Sequence, residues 1–296
     1  MVAVLLLYAS LVNDVRSLLA RHDLAAADRA VRASQAQAGA TPENAAALSW
    51  LARGELDAQA YSRADSYAAE ARKMSDQLLR TRKLDSDAWL PLALGASIEV
   101  HAQVLAAQGE RGEAVTYLRS QLAAFASTSI AERIRKNLNL LDLEGKPAPP
   151  LAAADFIGTS PPSLASLRGH PILLFFWAHW CPDCKQEAPV LVDIERTYVP
   201  RGLVMISPTK LYGYVAGGNP ASPAEEKRYI DAVRRQYYSG LSGTPVPLDP
   251  TNFLNYGAST TPTLVLIDRN GVVRYYHPGA LSEPALAAQI EALMAR

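Results

Sequence analysis

At 296 residues and 49% hydrophobic composition, the chain can bury two ordinary cores rather than one. Its 29 Lys and Arg balance its 29 Asp and Glu, and the balance holds within residues 1–146 (17 against 17) and within 147–296 (12 against 12). An even balance in both halves excludes a nucleic-acid or anionic-membrane partner held by bulk charge.

The N-terminal apolar run, Val2 to Ala9, lacks a preceding positive charge and a clear small-x-small cleavage site. It therefore reads as the beginning of the first packed helix rather than as a clear signal peptide, a signal remnant being the alternative. Beyond it no run reaches the roughly 18 apolar residues that a spanning helix requires, so no membrane span is expected in the mature chain.

Residues 1–146 are rich in Ala, Leu, Arg, Asp and Glu and hold only Pro42 and Pro91 of the 20 prolines. Helical periodicity recurs there in weakly similar segments: Leu24–Val31, Tyr61–Ala71 and Gly112–Leu118. Small residues at such positions let paired helices approach closely. With Trp50, Leu51, Gly54 and Tyr61, the pattern resembles a degenerate tetratricopeptide array, and a plain helical bundle remains the alternative. An all-α domain over 1–146 follows on either reading, without a catalytic constellation. Gly145-Lys-Pro-Ala-Pro-Pro150 marks the change to a second domain, 147–296.

The second half alternates strands and helices. Pro171–Trp177 is a continuous apolar run of strand length, as expected of a strand covered on both faces. A helix over Cys181 to about Tyr198 and a strand at Leu203–Ile206 complete a βαβ unit. A helix near Ala224–Tyr238 precedes two apolar runs, Thr263–Asp268 and Val272–Tyr276, whose Asn270-Gly271 junction signals a hairpin. A last helix starts at Ser282. The order βαβα then ββα is that of an α/β thioredoxin-like domain, a central mixed sheet flanked by helices.

The two cysteines, Cys181 and Cys184, lie too close in sequence to staple distant parts of a domain, and no second Cys or His pair offers zinc-ligand spacing. No metal and no cofactor is expected. A thiolate, not a thiol, attacks disulfide sulfur, and a helix N-terminus stabilises it through unpaired N–H groups and the positive dipole end. Pro182 suits the first turn, where its missing donor would be unpaired anyway. Cys-Pro-Asp-Cys between a strand and a βαβ crossover helix thus points to thiol-disulfide exchange.

From Trp177 to Pro189 the sequence, Trp-Ala-His-Trp-Cys-Pro-Asp-Cys-Lys-Gln-Glu-Ala-Pro, resembles the TlpA/ResA/DsbE group of thioredoxin-like oxidoreductases. Tyr256-Gly257, Thr261-Pro262-Thr263 and Ile267-Asp268 with Gly271 and Val273 are similar to the same group, over about 147–296. The resemblance implies Cys181 as exposed nucleophile, Cys184 as buried resolving thiol, and Pro262 as a cis proline facing the pair. Thr261 would then offer backbone groups to an extended substrate segment. Glu187, one turn beyond Cys184, becomes the candidate modulator of thiol pKa, and Trp180 shields the disulfide. Phe175 stands where thioredoxin proper carries a buried acid, so proton handling falls to Glu187 or a water. His179 reads as a surface imidazole at the rim of the site.

Asp183, between the cysteines beside Pro182, places like charge near the thiolate and favours a reductase over an oxidant. The segment Ser207–Pro223, with Tyr212 and Tyr214, reads as a loop near Cys181 that shapes access, a surface Ω-loop being the alternative. The sequence thus predicts a thiol-disulfide oxidoreductase, a reductase of protein disulfides working through a mixed disulfide. Its partners would be a protein dithiol or disulfide, an upstream electron donor and a protein held by the helical half. The resemblance implies a periplasmic, extracytoplasmic location. A disulfide isomerase dimerised by the helical half and a helical-repeat binding module with a non-catalytic thioredoxin fold are the competing readings. A peroxidase fits poorly, because a peroxide-reducing thiol sits alone and needs a nearby arginine.

Overall fold

Two of the first four helices begin where a side chain accepts one of their unpaired N–H groups. Helix α1 spans Leu11–Ala20; α2, Leu24–Ala38, is capped by Asp23, whose side chain accepts the Ala26 N–H at 2.9 Å. Helix α3, Pro42–Asp57, combines a Thr41 cap with Pro42 in its first turn, and α4 covers Tyr61–Leu79. Helices α5 (Trp89–Ala107), α6 (Arg111–Ala124) and α7 (Ala131–Asp142) follow. This is a computed structural model describing residues 10–295, so the Val2–Ala9 run lies outside the described residues. The chain divides into one unit ending at Ile134 and another starting at Arg135, a division inside α7.

Within the first unit α3 packs on α4 and α5, and α5 also packs on α4 and α6. Alanines make these approaches possible: Ala45, Ala46, Ala52, Ala64, Ala68, Ala93 and Ala96 are all buried. By length and composition α5 could cross a membrane, a test that a buried core helix also passes. Its apolarity matches a buried position, with Leu90, Leu94, Ile98 and Val100 inside the helical core.

The second unit contains β1 (Phe156–Ile157), β2 (Ile172–Phe176), α8 (Pro182–Tyr198), β3 (Val204–Ile206), α9 (Pro223–Tyr237) and β4 (Val246–Pro247). Helix α10 (Pro250–Tyr256), β5 (Thr263–Ile267), β6 (Val273–Pro278) and α11 (Glu283–Met294) complete it. The main sheet runs β3-β2-β5-β6, with β2 and β3 parallel and the other pairs antiparallel; β1 and β4 form a separate antiparallel pair. Neither β1, β4 nor α10 was expected from the sequence. The α/β thioredoxin-like domain with an all-α N-terminal half is the observed fold class.

Alternation along β2 explains why it reads as an unbroken apolar run. Leu173 and Phe175 join Leu264, Leu266, Leu191 of α8 and Ile290 of α11 on one face. Ile172, Leu174 and Phe176 join Val265, Ile267, Phe253 and Tyr256 on the other. The β5–β6 hairpin turns at Asn270-Gly271, where Gly271 has φ of +70° and Asp268 Oδ1 accepts both the Asn270 and Val272 N–H at 2.9 Å. The C-terminal part of α7 belongs to this unit: Asn139 Nδ2 donates to the Tyr256 carbonyl at 2.8 Å.

Candidate active site

Strand β2 delivers the chain to the site, and Trp177 fixes its exit. The Trp177 N–H donates to the Pro208 carbonyl at 3.2 Å, its Nε1–H to the Ser207 carbonyl at 3.1 Å, and its own carbonyl accepts Thr209 Oγ1–H at 2.8 Å. A turn then sets Cys181 as the N-cap of α8, its N–H donating to the Ala178 carbonyl at 3.1 Å. Cys181 Sγ accepts the Cys184 N–H at 3.0 Å, the place a Ser or Asp side chain takes in an ordinary cap. Sulfur at that point receives the stabilisation a helix start gives to negative charge.

Cys181 and Cys184 are joined as a disulfide, with Cα atoms 5.4 Å apart. The Thr261–Pro262 bond is cis, and the Thr261 carbonyl oxygen lies 3.3 Å from Cys181 Sγ. Pro182 and Asp183 are exposed on the outer face of the first turn. Trp180 is 45% exposed and meets the Tyr212 ring edge-on, centroids 5.5 Å apart. Thus Cys181, Cys184, Pro262, Thr261, Trp180, Pro182 and Asp183 gather at one end of the sheet.

One expectation fails here. Cys181 is not exposed in the disulfide form: it retains 2% of its surface against 0% for Cys184. Its position at the cap, close to Thr261 and within the core cluster that includes Trp177, Ala178 and Leu264, covers the sulfur.

Glu187 is buried on α8 behind the pair. Its Oε1 accepts the Leu281 N–H at 2.9 Å, while Oε2 is buried without a partner among the described residues. Burial pushes this carboxyl up to about 7, the Leu281 hydrogen bond opposing the rise. The Tyr238 hydroxyl is also buried and unpartnered; burial first, and the Glu187 charge second, push it well above the usual range. Tyr238 packs on Trp177 with centroids 5.0 Å apart and on Phe175 at 6.0 Å, so Phe175 does fill an apolar position.

His179 also departs from expectation. It is 1% exposed, not a rim imidazole, and its Nε2 lies 3.1 Å from Oε1 of Glu226, a residue of α9 that is 0% exposed. Burial lowers the His179 pKa, with Glu226 opposing. The imidazole is therefore neutral near pH 7, and the carboxylate requires the Nε2–H tautomer. Glu226 escaped the sequence reading because Pro223-Ala-Glu-Glu looks like the solvated acidic first turn of a helix.

Residues 145–276 match the family model described as AhpC/TSA family. The thioredoxin-like protein YneN of Bacillus subtilis strain 168 is 24% identical over 149 residues, 50% of this chain and 79% of that protein. The thiol:disulfide interchange protein DsbE of Xylella fastidiosa strain Temecula1 is 29% identical over 159 residues, covering 52% and 70%. The thiol-disulfide oxidoreductase ResA of Geobacillus thermodenitrificans strain NG80-2 is 25% identical over 151 residues, covering 50% and 77%. A cysteine pair at a helix start, beside a mixed sheet of this order, is what these similarities require of residues 145–276: they form a thioredoxin-like domain similar to the AhpC/TSA family, and the chain is a thiol-disulfide oxidoreductase.

Proposed function

We propose that the protein is a reductase of protein disulfides, with Cys181 as nucleophile and Cys184 as resolving thiol. The observation that carries this is the cap geometry, in which Cys181 Sγ receives the Cys184 N–H at 3.0 Å and faces the Thr261 carbonyl. In the reduced enzyme the Cys181 thiolate attacks one sulfur of the substrate disulfide. A Cys181–substrate bond forms, and the other substrate sulfur leaves as a thiolate that takes up a proton. Cys184, losing its proton to Glu187 directly or through water, then attacks Cys181 Sγ. The second substrate thiol departs, and the enzyme disulfide records the two electrons transferred.

Several features support the remaining assignments. A carboxyl whose pKa is near 7 can accept and return a proton at neutral pH, which suits Glu187 as the modulator of the pair. Exposed Asp183 opposes build-up of thiolate beside it, which favours electron donation to the substrate. Thr261, with Pro262, Trp180 and Pro182, lines the approach that an extended client segment would use. An upstream dithiol restores the reduced pair, and the helical half, residues 1–146, holds a protein partner. The likeness of Trp177–Pro189 to the TlpA/ResA/DsbE group supports action outside the cytoplasm, in the periplasm.

The test is trapping. Cys184→Ser leaves Cys181 able to attack but removes the thiol that releases the product, so a covalent adduct accumulates that dithiothreitol dissolves. Adduct formation by Cys184→Ser and its absence from the Cys181→Ser, Cys184→Ser double variant supports the reading; equal labelling of both proteins overturns it.

A further inference from the structure

Glu226 carries no part in the exchange chemistry, yet it is a fully buried carboxylate. A polar side chain is held inside a protein only when its lone pairs are satisfied, and here three N–H groups converge on it. Oε1 accepts the Tyr212 N–H at 2.5 Å and lies 3.1 Å from His179 Nε2; Oε2 accepts the Gly213 N–H at 2.7 Å. Two of these donors belong to the loop after β3, and the third lies two residues before Cys181. An apolar side chain could fill the same space, but only an acceptor with two oxygens ties both segments to α9 in one arrangement.

The tie has a visible product at the surface. The His179 ring is met edge-on by Tyr212, Tyr214 and Tyr229 at 5.5, 5.4 and 5.3 Å, and Tyr212 in turn sets its ring against Trp180. Trp180 is the exposed neighbour of the buried Cys181. We infer that Glu226 is a positioning residue: it holds loop residues 212–214 so that Tyr212 and Trp180 form an aromatic wall beside Cys181, against which the polypeptide flanking a client disulfide is gripped. The inference rests on the reading of the substrate as a protein disulfide. It assigns the wall to protein clients, since a small disulfide has no flanking chain to lay on it.

The experiment compares two disulfides. Full-length enzyme, reduced and freed of reductant, is mixed in single turnover with insulin or with 5,5′-dithiobis(2-nitrobenzoate), and second-order rate constants are measured for wild type, Glu226→Gln and Tyr212→Ala. Gln supplies one acceptor oxygen where three donors converge; Tyr212→Ala keeps the backbone N–H and the buried pair but removes the ring. The ratio of insulin to small-disulfide rate constants is expected to fall fivefold or more in both variants. A ratio within twofold of wild type in Tyr212→Ala overturns the inference, and so does a parallel loss on both substrates, which marks general damage. Should Glu226→Gln fail to fold, Tyr212→Ala decides alone. A wild type inert to both disulfides would instead sink the oxidoreductase reading beneath.

Discussion

Glu187 gives one oxygen to the Leu281 N–H and keeps the other buried without a partner among the described residues, so its protonated form is the better accommodated one near neutrality. Its pKa, raised to about 7 from 4.5, means that the folded state binds a proton that the unfolded chain has released across that interval. The associated stability is complete below about pH 4.5 and is lost as pH rises through 7, by roughly 3 kcal/mol in the limit. Glu187→Gln removes that loss. Urea midpoints of the oxidised proteins between pH 4.5 and 8 should therefore converge at the acid end and separate in favour of the variant above pH 7. Parallel pH profiles would show that Glu187 does not titrate in this interval.

His179 carries the opposite sign. Burial lowers its pKa, so the unfolded chain takes up a proton that the folded one resists, and stability is lost as pH falls below about 6.5 toward the depressed folded value. His179→Gln retains an N–H donor for Glu226 and cannot titrate. Its stability should fall less than that of wild type between pH 6.5 and 5, measured by the same unfolding experiment. A steeper fall in the variant would contradict the neutral, Nε2–H form of the imidazole.

Gly257 ends α10 with φ of +62°, and a Cβ there would come 2.7 Å from the carbonyl carbon of Arg135 and from the Cα of Lys136. Both obstacles are backbone atoms, which cannot rotate aside. Gly257→Ala should cost at least about 2 kcal/mol, from left-handed strain plus overpacking. An unchanged denaturation midpoint would mean that α7 and α10 slide apart freely at this point.

What could be read from the chain followed from how local each signal is. β2 was legible because both of its faces are buried, so a five-residue apolar run has no competing explanation. The cysteine pair was legible because strand, cap and helix are contiguous, and the β5–β6 turn because Asn270-Gly271 is a local backbone device. β1 and β4 have two residues each, too few to show any period, and α10 is seven residues between Pro250 and Gly257. Glu226 meets His179 across 47 residues, and nothing near either one signals the other. The burial of Cys181 was hidden for the same reason, since Thr261 covers it from 80 residues away.

That burial sets a geometric condition on any exchange. With Cys181 and Cys184 left 2% and 0% of their surface in the disulfide form, the pair cannot be reopened by a thiolate lying flat in the wall of a rigid globule. The incoming sulfur has to project on a narrow stem, from an unravelled stretch, a chain end or a protruding loop. Incoming thiols are thereby sorted by how far they protrude before any bond changes hands.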